Sequence, residues 1–448
     1  MRGKETDESS LRLSRRDVVR GGLLGAASLV VGVNAAGQTP SPPAGGRGKA
    51  RSVIQVWLWG GACHIDTFDP KPDAGSDYTG PFTSPIATNV SGIRINELLP
   101  ELAKVADKYA LIRSMTHGSN AHETAAYMVQ TGHKPGDGLV YPGVAAVVSL
   151  FKGAEAGYKG LIPPYIVLTQ LQGRFSEAGF LGSKAKPFAT GGDPNQPRFA
   201  VEGVVAEGIS DDRQKARREL LHRLNTLDHA LKGDAALAEL NAGEQAAYDL
   251  ILGDSGKVFD LSQEKDALRD RYGRSTFGQS CLMARRLVER GVPSITINFQ
   301  GWDTHKQHFQ IMRQKLPQLD KGLASLIQDL SDRGLLDTTV LWCCGEFGRT
   351  PRVQWEPPWN GGRGHWGPVF SALVAGGGFK GGRIVGASDA RGEEVKDRPV
   401  YPVDLIRSMY ELLGIDADAK LPHPQGLNVT VVPPADPGKS GGRLAEIL

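Results

Sequence analysis

Apolar runs that stop abruptly at glycines set the rhythm of the chain. "SVIQVWLWGG" (52–61) carries a nearly continuous apolar run from Val53 to Trp59 and then two glycines. A short run of this kind predicts a strand covered on both faces. The run "NELLPELAKVADKYALIRSM" (96–115) predicts an amphipathic helix leading into a strand. "PGVAAVVSLF" (142–151) predicts a helix and "IPPYIVL" (162–168) a strand. Further strands are predicted at "PSITINF" (293–299), "TTVLWCCGEFG" (338–348) and "VFSALVAGGG" (369–378). Helical spacing marks 122–131, 307–334 and 402–414. Strands alternating with helices predict an α/β fold, a doubly wound, mostly parallel sheet with helices on both faces. The alternation lapses over 211–291, where consecutive helical patterns predict an insert able to cap the sheet.

The ends of the chain read differently. Residues 1–36 hold Arg15-Arg16, an apolar stretch rich in Gly and Ala, and then small residues, the pattern of a twin-arginine signal peptide. That pattern implies recognition by the twin-arginine export machinery and a place in the periplasm or cell envelope. Residues 37–52 read as a flexible linker, 53–432 as the folded domain, and 433–448 as a C-terminal tail. A net charge of +3 on 448 residues argues against nucleic acid as a partner. The most basic stretch, 211–223, reads as a solvated helix face. Four cysteines (63, 281, 343, 344) are too few for a disulfide framework.

In a sheet of this class, ligands sit beyond the carboxyl ends of the strands. Cys63, His64, Asp66 and Asp69 follow the strand at 53–59. Asp303, His305 and His308 follow 293–299, and Glu346 and Arg349 follow 338–344. The next loop brings Arg363 and His365, and "THGSNAHETAAYMVQTGH" (116–133) brings His117, Ser119, His122 and Glu123. Seven of the ten histidines fall in these loops. Mixed carboxylate and imidazole donors suit a divalent metal such as Zn or Mn, and Mg or Ca where oxygen dominates. The plainer reading is a polar rim of hydrogen-bonded histidines. Arg349, Arg363 and Lys71 are candidates to hold an anionic ester group, and Trp302 and Trp366 to stack on a sugar or simply to pack.

The motifs "GGACHIDTFDPKPDA", "HETAAYMVQTGHKPG", "GWDTHKQHF", "GEFGRTPRV" and "GRGHWGPVFSALVAGGGFKGGRIVGASDARG" occur in that order behind the leader. Together they closely resemble a bacterial family catalogued as domain of unknown function 1501, often labelled sulfatase-like. The resemblance covers about 50–430 and implies an alkaline phosphatase/sulfatase-like fold with metals at the strand tips. It further implies hydrolysis of phosphate or sulfate esters, or phosphoryl transfer.

Carried over residue by residue, the pattern is altered. Gly60-Gly61 stands where the superfamily has a metal-binding Asp, so Asp66 or Asp69 would have to substitute. His122 stands in the nucleophile's place, ten residues before Thr131-Gly132, and can serve as ligand, general acid/base or attacking group. Ser119 and Thr124 are fallback nucleophiles, and Ser119 also reads as a helix cap. The Cys-x-Pro-x-Arg formylglycine signature is absent. Asp303 with His305 or His308 matches a superfamily metal pair. Glu346-Phe347 keeps one ligand of the next pair, and His365 matches the last. The expected metal set is therefore Asp66, Asp303, His305, His308, Glu346 and His365, with His122, Ser119, Arg349 and Arg363 as catalytic candidates. Two function classes follow: an exported metal-dependent hydrolase of a small-molecule or polysaccharide ester, or a catalytically degenerate binding or envelope protein of the same fold. A Ser-His-Asp esterase is disfavoured by the lack of a Gly-x-Ser-x-Gly elbow.

Overall fold

Val53, Val56 and Trp57 make "SVIQVWL" a strand that must be buried on both sides, and Ser52–Leu58 forms β1 with every residue buried. The computed structural model describes residues 48–136, 138–171, 178–182, 185–196, 199 and 256–448, with 212, 213, 216, 219 and 220 besides. The twin-arginine segment 1–36, most of the linker and about half of the expected insert lie outside these residues.

The other sheet strands are β2 (Tyr109–Met115), β3 (Tyr165–Leu168), β4 (Phe188–Ala189), β5 (Ser294–Phe299), β6 (Thr339–Cys344), β7 (Phe370–Ala375) and β8 (Arg383–Val385). Their order across the sheet is β8-β2-β7-β6-β1-β5-β3-β4. β1 runs parallel to both neighbours, with Val56 level with Ile297 of β5 and Cys343 of β6. β7 is antiparallel to β2 and β6, the one departure from a parallel sheet among these strands.

Alternation along β1 sends Ile54, Val56 and Leu58 to one core and Val53 and Trp57 to the other. The first core is closed by α3 (Thr276–Glu289) and α4 (His308–Asp332) through Leu282, Leu287, Leu319 and Leu323. The second is closed by α1 (His122–Thr131), α2 (Val144–Lys152) and α5 (Pro402–Leu413) through Val129, Val148 and Met409. Each such fully buried aliphatic side chain stabilises the fold by roughly 1.5–3 kcal/mol over an exposed one. The doubly wound, mostly parallel sheet expected from the pattern is therefore present.

Three boundaries differ from expectation. The 276–289 part of the expected insert is α3, a layer of the core rather than a cap, because its apolar stripe is buried against β5 and α4. The linker ends earlier than residue 52, since Ala50 is buried and its N–H donates to Leu412 O at 3.1 Å. The segment 433–448 is no loose tail. Leu444 and Ile447 are buried in the second core, and the Asp404 carboxylate accepts the Gly441 and Gly442 N–H groups at 2.8 and 3.1 Å.

Candidate metal centre

β1, β5 and β6 lie side by side and parallel, so the loops leaving their carboxyl ends share one rim. The two glycines after β1 are what let those loops meet. A Cβ on Gly60 would lie 2.2 Å from Asp303 N, and one on Gly61 would lie 2.6 Å from Phe347. Both also have positive φ, 111° and 79°. The chain turns there because no side chain stands in the way.

Asp303, on the loop after β5, is the hub. His122 Nε2 lies 3.4 Å from its Oδ2. His305 Nε2 and His365 Nε2 lie 3.1 and 3.2 Å from its Oδ1, and 2.9 Å from each other. His365 reaches this point because His365–Trp366 pairs antiparallel with Gly348–Arg349, which sets His365 opposite Arg349. Arg349 Nη2 donates to Asp303 Oδ1 at 2.5 Å. The Asp303 side chain is 43% exposed, so the cluster is open to solvent.

A second layer fixes the rings. Glu346, fully buried, accepts His122 Nδ1–H at 2.6 Å and the Gly60 N–H at 3.0 Å. His365 Nδ1–H donates to Asn120 O at 2.8 Å, and the Asn120 side chain accepts Gly367 N–H at 2.6 Å. Both imidazoles thus have Nδ1 engaged and Nε2 turned to Asp303, the arrangement that orients histidine ligands around cations. Phe347 packs against both rings, with centroids 4.9 and 4.7 Å away, and Trp59 stacks on His122 at 6.1 Å. His117 donates from Nε2 to Glu346 O at 2.6 Å and accepts Ser119 N–H at Nδ1, 3.0 Å.

The charges follow from these contacts. Asp303 first, then Glu346, raise the His122 imidazole to about 9, so it is protonated when nothing else neutralises the two carboxylates. Burial pushes the Asp303 carboxyl up, but His122, His365 and Arg349 outweigh it and hold it far below the usual carboxylate range. Burial lowers the His305 imidazole below its ordinary value, against the pull of Asp303.

Asp66 and His308 fall in a separate, fully buried group with Cys63. His308 Nε2 lies 2.7 Å from Asp66 Oδ2, its Nδ1 lies 2.6 Å from Thr304 Oγ1, and Arg363 Nε lies 2.7 Å from Asp66 Oδ2. Burial opposes ionisation of Asp66, yet Arg363 and His308 together hold its carboxyl low. Burial pushes the Cys63 thiol up to about 12. His122, Asp303 and His365, by contrast, form the second group of donors within 4.8 Å of one another, and that one is accessible.

The expectation that Arg349 and Arg363 grip an anionic ester is corrected. Both are fully buried. Arg349 spends its other donors on Gly60 O, Gly61 O and Arg363 O. Arg363 spends its own on Asp66, Tyr78 O, Thr350 O and Pro351 O. They brace the loops instead. Lys71 is likewise paired, 3.0 Å from Asp69. Ser119 Oγ accepts Ala121 N–H at 3.4 Å, a turn ahead of α1 rather than a cap on it. Glu346 is a positioning group beneath His122. Asn120, Trp59 and the Gly60 N–H were not singled out from the sequence, because nothing local marks a backbone N–H or an asparagine turn as part of a distant cluster.

Residues 50–438 match the family described as "Protein of unknown function (DUF1501)". The chain belongs to this family. No curated protein matches it in sequence. Among solved structures, it is similar to the lipoteichoic acid synthase LtaP from Listeria monocytogenes at 10% identity and TM-score 0.39, over 90% of this chain and 78% of that one. It is also similar to an alkaline phosphatase superfamily protein from Vibrio parahaemolyticus, at 12% identity and TM-score 0.38, over 91% and 76%. The C-terminal periplasmic domain of EcEptC from Escherichia coli, in complex with Zn, matches at 12% identity and TM-score 0.36, over 90% of each chain. Likeness at this level assigns no activity to the family member described here.

Proposed function

We propose that the chain is an exported, metal-dependent hydrolase of phosphate or sulfate esters, centred on Asp303. The observation that carries this reading is the meeting of three imidazole Nε2 atoms at the one exposed carboxylate, two of them oriented from behind. The donor set fits a divalent ion: one carboxylate and two or three imidazoles, from different loops, open on one side. His122, Asp303 and His365 would hold it. Bound there, such an ion supplies Lewis-acid stabilisation of charge on an ester oxygen and eases ionisation of water.

The protein's own groups do the rest. Glu346 keeps the His122 proton on Nδ1, leaving Nε2 aimed at Asp303. His305 is 37% exposed, and with Asp303 and His365 taken up by the ion its Nε2 would be placed to accept a proton from an attacking water and return it to the leaving oxygen. Water is the nucleophile this arrangement leaves room for, since the Ser119 hydroxyl faces Ala121 N and both His122 nitrogens are engaged.

A specific observation favours the degenerate binding protein as second reading: among the described residues, Arg349 and Arg363 beside the centre are both committed to the fold, so neither offers the anion a free guanidinium. Metal analysis of the purified protein with turnover of aryl phosphate and aryl sulfate separates the two. The hydrolase predicts a bound divalent ion and turnover that falls at least about a hundredfold in Asp303→Asn. A bound ion without turnover of any ester supports the second reading, and the absence of any bound ion after loading with Zn or Mn overturns the first.

A further inference from the structure

Loop 355–362 and the start of α4 border an open cleft of about 590 Å³ lined by Trp355, Phe309, Gln307, Gln310, Asn360 and Ser76 among others, with no charged side chain among these lining residues. Trp355 is 47% exposed and is the only exposed tryptophan, phenylalanine or tyrosine among the described residues. Its ring stacks on Phe309 at 5.7 Å and 22°, and Phe309 is itself buried against the edge of Phe82 at 5.4 Å. The indole therefore rests on a rigid base and presents its other face to solvent. Gly361 runs beside it, where a Cβ would lie 3.1 Å from the ring.

The polar part of the cleft faces solvent. Gln307, Gln310 and Asn360 are exposed, and among the described residues none of their side-chain amides has a hydrogen-bond partner. Gln307 and Asn360 both adopt the left-handed region, φ 51° and 47°. Such a conformation in a glutamine costs of order 1 kcal/mol and persists where the surroundings impose it. Here the surroundings include the backbone next to His305. Gln307 lies two residues after His305 and donates its N–H to Trp359 O at 3.1 Å. Gly362 lies so close to His305 O that a Cβ would meet it at 1.8 Å. The loops that carry His305 and His365 thus also build the cleft.

We propose that this cleft binds a neutral stretch of a polysaccharide, so that the ester presented to Asp303 is one carried on a glycan. The proposal rests on the hydrolase reading for the centre, but the cleft's chemistry stands by itself. A flat indole face suits the C–H face of a sugar ring. Three amides and a hydroxyl supply paired donors and acceptors for ring hydroxyls. A nucleic acid would need cationic side chains, and an acyl chain would leave the amides unpaired.

The test uses the full chain and a panel of unesterified hexasaccharides of β-1,4-glucan, β-1,3-glucan, mannan, xylan, galactan and chitin, with binding read by calorimetry. At least one should bind. Trp355→Ala should weaken that binding about tenfold and Gln310→Ala measurably, both with unchanged circular dichroism. Asp303→Asn should leave it intact, which separates failure of the cleft from failure of the centre. Binding by no member of the panel, or binding untouched by both cleft variants, overturns the proposal.

Discussion

Glu346 sits with its carboxylate between the Gly60 N–H and His122 Nδ1, away from solvent, so its effect on a cation would pass through His122 alone. Glu346→Gln keeps the shape and removes the charge. It should lower affinity for Zn about ten- to a hundredfold, read by equilibrium dialysis, while the thermal unfolding profile stays cooperative. His117 supports the same layer and gives a pH signature. Burial holds its imidazole down at about 4, against 6.5 in the unfolded chain. Between those pH values unfolding takes up a proton that the folded protein refuses. Its contribution to stability is therefore full above about pH 6.5 and is lost as pH falls toward 4, by up to about 3 kcal/mol. Buried His64 and His308, lowered in the same direction, add to that acid limb. Urea unfolding across this range should show stability falling with pH, and His117→Gln should make the slope shallower. An unchanged slope would show that His117 is not the neutral buried donor described.

At the scale of elements, the centre depends on how closely the turn after β1 can approach the loop after β5. Gly60→Ala places a methyl 2.2 Å from Asp303 N at φ 111°, so either the turn or the Asp303 loop must move. A loss of about 2–4 kcal/mol in unfolding free energy is expected, with Zn affinity falling as well because Glu346 loses its Gly60 partner. The glycine pair was visible in the sequence as a break in an apolar run, and so were the strand tips that carry Asp303, His305 and His365. What the pattern does not encode is direction of approach. β7 has the same run of apolar residues whether it lies parallel or antiparallel, and only the chain path through the sheet decides. Asp66 and His308 follow strand tips as Asp303 does, yet their side chains turn inward to Arg363. That choice is made by Tyr78 O, Thr350 O and Pro351 O, carbonyls from loops that no local spacing connects. Trp355 is an ordinary aromatic in a proline-rich loop until Phe309 is seen beneath it.

Across the whole molecule, the segment 433–448 is tied to the sheet through α5. Leu444 and Ile447 are each fully buried, and Glu446 pairs with Arg398 at 2.6 Å. Asp404, near the start of α5, accepts the Gly441 and Gly442 N–H groups and the Tyr401 N–H at 2.9 Å. α5 packs on the same face of the sheet as α1, whose first residue is His122. A segment that looked like a polar tail by composition therefore closes one of the two cores. Leu444→Ala removes a buried side chain where the neighbours cannot easily collapse, since α5 and the Asp404 hydrogen bonds hold the backbone in place. It should cost about 2–5 kcal/mol, read as a lower midpoint in urea with an unchanged slope. The folded fraction should keep its affinity for Zn, because the substitution touches none of the groups at Asp303. If instead the midpoint does not move, the segment is a bystander and the second core is complete without it.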